Sequence, residues 1–267
     1  MRGLIYVILF LGALKSNAQS DSAYWFRMEF NFPLCLGTGL IQSEGETNKA
    51  SLFLDNGRAL TGLFISPGIK IHMGRRINLN YSFHLQFSAV DAGKSLDEMI
   101  LNNPQYYVQG ERVSYGKRAA SYNGFTFTQS RFGIGCSVAK WNKWYVQAYT
   151  GYIVGKTQIP YGSFSLKSYE SNDFIEIDFK KASLPTEGYM VGCSLTSFDP
   201  IENQRYFGGL TIFLEYDRFH ANGLAQIESS QTFGPEEIEE YQINRTFQNI
   251  KIGMIISLGF NSIRRKS

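Results

Sequence analysis

Cysteine, proline and unbalanced charge are all scarce in this chain of 267 residues. The three cysteines, Cys35, Cys136 and Cys193, are an odd number with no C-x-x-C spacing. That excludes a disulfide framework and a thiolate zinc site, and each is read as a small hydrophobe. Only 7 prolines interrupt the sequence. The net charge of +3 falls further if Arg2 and Lys15 leave with a leader, so nucleic-acid binding has no electrostatic support. After Leu14 there is no apolar run of the roughly 18 residues that a membrane-spanning helix needs. The histidines number 3. His72 has no second ligand at metal-binding spacing, and His220 has no evident partner. No cofactor is called for.

What the chain does have begins with a leader. Arg2 is followed by the apolar stretch Leu4–Leu14 and by Ser16-Asn17-Ala18, small residues at the positions a signal peptidase reads. Cleavage is expected before Gln19. The exported chain would then be either soluble in the periplasm or a β-barrel in the outer membrane. Aromatic residues at 15% and 26 glycines favour the barrel.

From Tyr24 to Phe260 the sequence alternates apolar and polar residues in eight segments: 24–39, 62–74, 77–91, 125–140, 144–156, 187–198, 205–219 and 246–260. The gaps between them run long, short, long, short, long, short, long. The pattern predicts an all-β fold: an eight-stranded antiparallel up-and-down transmembrane β-barrel with four long extracellular loops. Side chains alternate across a strand, so each segment sorts two faces. Ile77, Leu79, Tyr81, Phe83, Leu85 and Phe87 oppose Asn78, Asn80, Ser82, His84, Gln86 and Ser88. In the last segment Ile250, Ile252, Met254, Ile256, Leu258 and Phe260 oppose Lys251, Gly253, Ser257 and Gly259.

A lipocalin-type barrel turns its apolar face inward and a membrane barrel turns it outward. Six or seven bulky side chains per strand would overfill a small lumen, so the apolar face must point to lipid. The opposite face carries Arg27, Glu29, Lys70, Arg131, Glu215, Asp217 and Lys251, which are expected to pair inside a closed lumen. Counting along rising and descending strands sets Glu29 level with Lys70 and Glu215 near Lys251. Trp25, Trp141, Trp144, Tyr145 and Tyr206 lie at the short-turn end as an interfacial belt. Phe87, Phe125, Phe127, Tyr216 and Phe219 are expected to form a second belt at the other end. The short turns and tail are basic (Arg75, Arg76, Lys140, Lys143, Arg264, Arg265, Lys266) and would face the periplasm. The expected division is a signal peptide over 1–18, a periplasmic segment over 19–23, the barrel over 24–260 and a basic tail over 261–267.

The ending Asn17-Ala18-Gln19 of the leader, the eight aromatic- and glycine-rich strands and the final strand Lys251–Phe260 resemble the PorT-like outer-membrane β-barrel proteins of Bacteroidota. The resemblance spans Tyr24 to Phe260. It implies an eight-stranded outer-membrane barrel with a role in secretion, gliding or a process not yet defined. The chain departs from the commonest barrel ending by continuing past Phe260. Asp21-Ser22-Ala23 matches the short stretch that can be O-glycosylated in that group.

Ser82 and His84 share one strand face and resemble, in reversed order, the serine–histidine pair of lipid A deacylase barrels. They face the lumen, and no carboxylate on that strand orients the imidazole. Polar filling is the expected role. Glu236, Glu237, Glu239 and Glu240 after Gly234-Pro235 read as a solvated helix start. Ser95-Leu96-Asp97-Glu98 reads as a capping box, Tyr106–Val108 with Val113–Tyr115 as a small hairpin, and Phe164–Tyr169 with Phe174–Phe179 as another. Tyr106, Tyr107, Tyr115, Tyr161 and Tyr169 are the candidate recognition residues of these loops. The expected function is non-enzymatic, with contacts to outer-membrane lipid and to a protein partner at the loops or periplasmic turns. A small-solute channel and a lipid-modifying enzyme are the alternatives.

Overall fold

The computed structural model describes residues 24–44, 60–73, 77–88, 114–115, 124–141, 144–167, 174–198, 206–231 and 237–263. They form strands only. These are β1 (Tyr24–Glu44), β2 (Leu60–Ile65), β3 (Gly68–Met73), β4 (Ile77–Ser88), β5 (Ser114–Tyr115), β6 (Phe125–Trp141), β7 (Trp144–Gln158), β8 (Gly162–Lys167), β9 (Phe174–Phe179), β10 (Ser183–Phe198), β11 (Tyr206–Gln231) and β12 (Glu237–Ile263). No helix among the described residues is long and apolar enough to cross a membrane, which says nothing about crossing with strands.

Every pairing is antiparallel, and following partners leads back to the start. β1 pairs with β12, β12 with β11, β11 with β10, β10 with β7, β7 with β6, and β6 with β4. β4 then pairs with β2 and β3, and both of these pair with β1. β2 and β3 are one stave broken at Ser66-Pro67, where a single strand over 62–74 was expected. Proline has no N–H to give the ladder, so the strand is interrupted there. Its carbonyl is still used, accepting from the Phe83 N–H at 2.9 Å.

The alternation divides the sheet as the sequence implies. Leu63 is 72% exposed and Leu258 66%, while Lys251, Asp217 and Asn249 are 0% exposed. Contacts between strands that are not ladder neighbours show that the polar face is the enclosed one. Lys70 of β3 reaches Gln147 of β7 at 3.0 Å, and Asn249 of β12 reaches Gln86 of β4 at 2.8 Å. Gly39 of β1 makes room for this crossing. A Cβ there would lie 2.5 Å from the Asn249 Oδ1 and 2.9 Å from the Lys251 Cγ.

Two expectations are corrected. The last long gap is mostly strand, because the β11–β12 ladder runs on to Ser229↔Glu237. The acidic residues Glu237–Glu240 therefore lie in a strand and do not start a helix. Alternation decides this: Tyr241, Ile243 and Arg245 turn inward and Ile238, Gln242 and Asn244 outward. The aromatic belt at the long-loop end is also different. Phe87 is 54% exposed, but Phe125, Phe127 and Phe219 are buried on the enclosed face. Ser114–Tyr115 pairs with Leu166 and Lys167 of β8, and the 106–108 arm of the expected hairpin lies outside the described residues. The β8–β9 hairpin forms as expected, and β9 docks on β11 through Ile227↔Phe179. The leader, the capping box at 95–98, the Asp21-Ser22-Ala23 stretch and residues 264–267 of the tail lie outside the described residues. β12 itself continues to Ile263, past the expected end at Phe260.

Candidate functional site

The enclosed face is layered along the strands. At the short-turn end the Glu29 carboxylate lies 2.8 Å from the His72 Nε2 and 3.4 Å from the Arg27 Nε. Glu29 and Lys70 are direct ladder partners, as the counting along the strands required. The Lys70 ammonium nevertheless donates to the Gln147 carbonyl oxygen at 3.0 Å, and the Glu29 carboxylate contacts His72 and Arg27. The expected Glu29–Lys70 pair is corrected to this arrangement. A carboxylate can hold several donors, and a diagonal neighbour on the same face is within reach of a long side chain.

The middle layer is a quartet of two cations and two carboxylates. Arg131 of β6 spans the interior to Glu215 and Asp217 of β11, each at 2.5 Å. Lys251 of β12 lies 2.7 Å from Glu215 and 2.5 Å from Asp217. Glu215 and Lys251 are ladder partners, so alternation plus register puts them on one face at one height. Arg131 also donates to Gln129 at 2.9 Å. His84 hydrogen-bonds Gln86 through Nε2 at 3.3 Å and packs on the Phe64 ring. Among the described residues no carboxylate is bonded to that imidazole, and no group of three His, Cys, Asp or Glu side chains is placed to hold a metal ion.

Beyond the quartet the lining becomes aromatic. Phe125 and Phe127 of β6 meet Phe219 of β11 and Phe247 of β12, with ring centroids 5.3 to 5.9 Å apart. Edge-to-face and offset contacts of this kind add roughly 0.5–1.5 kcal/mol each beyond area burial. Phe247 was not singled out in the sequence. The period-2 run from Tyr241 through Phe247 was the available signal.

In the extended β11–β12 hairpin, the end of β9 and the adjoining start of β10, Phe179, Leu184, Ala225 and Ile227 are buried. Lys180 ties these elements together. Its N–H donates to the Gln226 carbonyl, and its ammonium pairs with Asp178 at 2.8 Å and with Glu228. Those bonds hold the ammonium above the usual lysine range. Burial pushes the Tyr241 phenol up to about 12.

Of the expected interfacial aromatics, Trp144 and Tyr145 are half-buried, with Lys140 5.4 Å from the Tyr145 ring centre. Trp25, Trp141 and Tyr206 lie in strands at the same end. Of the recognition tyrosines, Tyr161 is half-buried with Lys181 5.7 Å from its ring centre, and Tyr115 lies in β5. Tyr106, Tyr107 and Tyr169 lie outside the described residues. Cys136 is buried and Cys193 exposed, both as free thiols.

The sequence matches no family profile and no curated protein. Among solved structures it is similar to the outer membrane protein AlkL determined in lipid bilayers, at 13% identity over 95% of this chain and 98% of that one, with a TM-score of 0.33. It is also similar to the outer membrane protease OmpT of Escherichia coli, at 10% identity over 92% and 99%, with a TM-score of 0.32. The Pseudomonas putida toluene transporter TodX matches at 10% identity over 94% and 93%, with a TM-score of 0.24. At TM-scores this low, function has to be argued from the chain's own residues.

Proposed function

We infer that the chain is an eight-stranded up-and-down β-barrel of the outer membrane, closed along its axis, that acts without catalysis through its long-loop end. β2 and β3 count as one stave of the eight. The observation that carries this reading is the filling of the enclosed face. The Arg131–Glu215–Asp217–Lys251 quartet and the phenyl cluster above it each occupy the interior. An eight-stranded barrel is just wide enough for side chains to fill it. The outward face presents exposed large apolar side chains in every stave, which suits lipid and would be costly in water. The leader at residues 1–18 supplies the export route, and the resemblance to PorT-like barrels fits a role in secretion or surface assembly.

The functional end is assigned by what the barrel does not need. The β11–β12 hairpin, the β8–β9 hairpin and Lys180 build an ordered platform beyond the phenyl cluster. Rigid scaffolds with ordered loops are where recognition residues concentrate. The partner would be a protein at this platform.

Planar-bilayer recording tests the closed lumen, and steady conductance would refute it. Replacing residues 96–122 by a short Gly-Ser bridge should leave a folded, heat-modifiable barrel and abolish crosslinking to the partner in native membranes. If that deletion is silent while Ser82→Ala or His84→Ala changes the mass of lipid A in expressing cells, the protein is an enzyme.

A further inference from the structure

We propose that the interior holds a small monovalent anion of halide size, between the Lys70 ammonium and the charge quartet. The proposal rests on the closed-barrel reading and adds a ligand to it. The first observation is a buried cation without an ion pair. Arg131 and Lys251 contact Glu215 and Asp217, and the Glu29 carboxylate lies against Arg27 and His72. Lys70, the ladder partner of Glu29, makes no ion pair among the described residues. It is 8% exposed, and its hydrogen-bond acceptor is the neutral Gln147 amide oxygen. A buried ammonium is costly unless a charge compensates it, and a neutral amide does not.

The second observation is a cavity of about 70 Å³ lined by Lys70, Arg131, Ser194 and His84. Ser194 is 5% exposed and its hydroxyl has no hydrogen-bond partner among the described residues. That O–H and the Lys70 N–H groups are donors aimed into one space. His84 donates from Nε2 to Gln86, which leaves Nδ1, also without a partner, as an acceptor for water in the same cavity. Glu215 borders the cavity too, but its carboxylate is held by Arg131 and Lys251. The space admits a halide with a little water. One buried ammonium without an ion pair suits a single negative charge.

The test uses the full-length protein refolded in detergent without halide. Thermal unfolding is compared in sodium chloride, sodium bromide and sodium gluconate at equal ionic strength, and crystals grown in bromide are measured at the bromine edge. The expected result is a midpoint several degrees higher in both halides than in gluconate, with an anomalous peak beside Lys70 Nζ. Lys70→Met should lose the halide dependence. If that variant does not fold, Ser194→Ala should reduce the dependence without abolishing it. Equal midpoints in all three salts, or bromide found only on the surface, would overturn the proposal. A barrel that stays heat-modifiable and non-conducting in that case loses only the anion, whereas steady conductance would remove the closed lumen itself.

Discussion

Lys251→Met separates a packed, charge-balanced interior from one merely lined with polar groups. Lys251 is 0% exposed and contacts two carboxylates, at 2.7 and 2.5 Å. The methionine keeps most of the side-chain volume, so the main change is electrostatic. Glu215 and Asp217 would face the Arg131 guanidinium alone, and the quartet would carry a net negative charge in a site closed to water. Breaking a buried pair by removing one partner costs about 3–5 kcal/mol. At a urea dependence of about 3 kcal/mol per molar, the high end for small proteins, the unfolding midpoint should fall by at least about 1 M. The assay is urea unfolding from lipid vesicles, followed by tryptophan fluorescence. Lys181→Met, at an exposed cation, should stay within about 1 kcal/mol of the parent. The double variant Lys251→Met with Glu215→Gln restores one positive to one negative charge and should recover a large part of the loss. A single variant with the parent's midpoint, or a double variant no better than the single, would refute the coupling of these groups.

Ile252→Arg places a charge on the outward face, where Ile252 is 55% exposed; it should cost about 2–4 kcal/mol near the bilayer midplane and lower the yield of folded protein in vesicles, whereas a water-facing site would tolerate it. Gly39→Ala puts a Cβ 2.5 Å from the Asn249 Oδ1 and should destabilise by about 1–3 kcal/mol in the same urea assay. Phe127→Ala should cost about 3–5 kcal/mol in that assay yet stay electrically silent in planar bilayers, because the charge quartet beneath it is untouched.

The staves were legible because a strand with lipid on one side and packed polar groups on the other must alternate; 77–88 does so without a break, and 250–260 departs only at the inward Ile255. The Glu215–Lys251 contact followed from the same count, since register fixes height between adjacent strands. Arg131 was legible as an inward charge, but its partners were not. They lie across the interior, and no one-dimensional count measures that distance. Glu29 shows the limit from the other side: its ladder partner is Lys70, yet its carboxylate sits against the diagonal His72. The inward phenylalanines are misleading because their height along the strands matches an interfacial belt, while the parity that Phe125 and Phe127 share with Arg131, and Phe219 with Asp217, turns them inward. The β11–β12 extension was missed because Gly234-Pro235 followed by acidic residues looks like a helix start, while the alternation behind it is carried by polar residues with little hydrophobic contrast.

The length of the β11–β12 ladder bears on the order in which the molecule comes together. Its strands adjoin in sequence and their pairing runs from Ser229↔Glu237 down to Tyr206↔Phe260, so it can zip from its own turn at a small entropic cost. The seam between β1 and β12 joins the two ends of the described chain, from Glu44↔Thr246 to Tyr24↔Ile263, and its register slips between Asn31 and Cys35. A contact of such long range, with an irregular ladder, is the slowest to form. The C-terminal hairpin is therefore the natural template against which the remaining strands add, and β1 docks last, closing the ring.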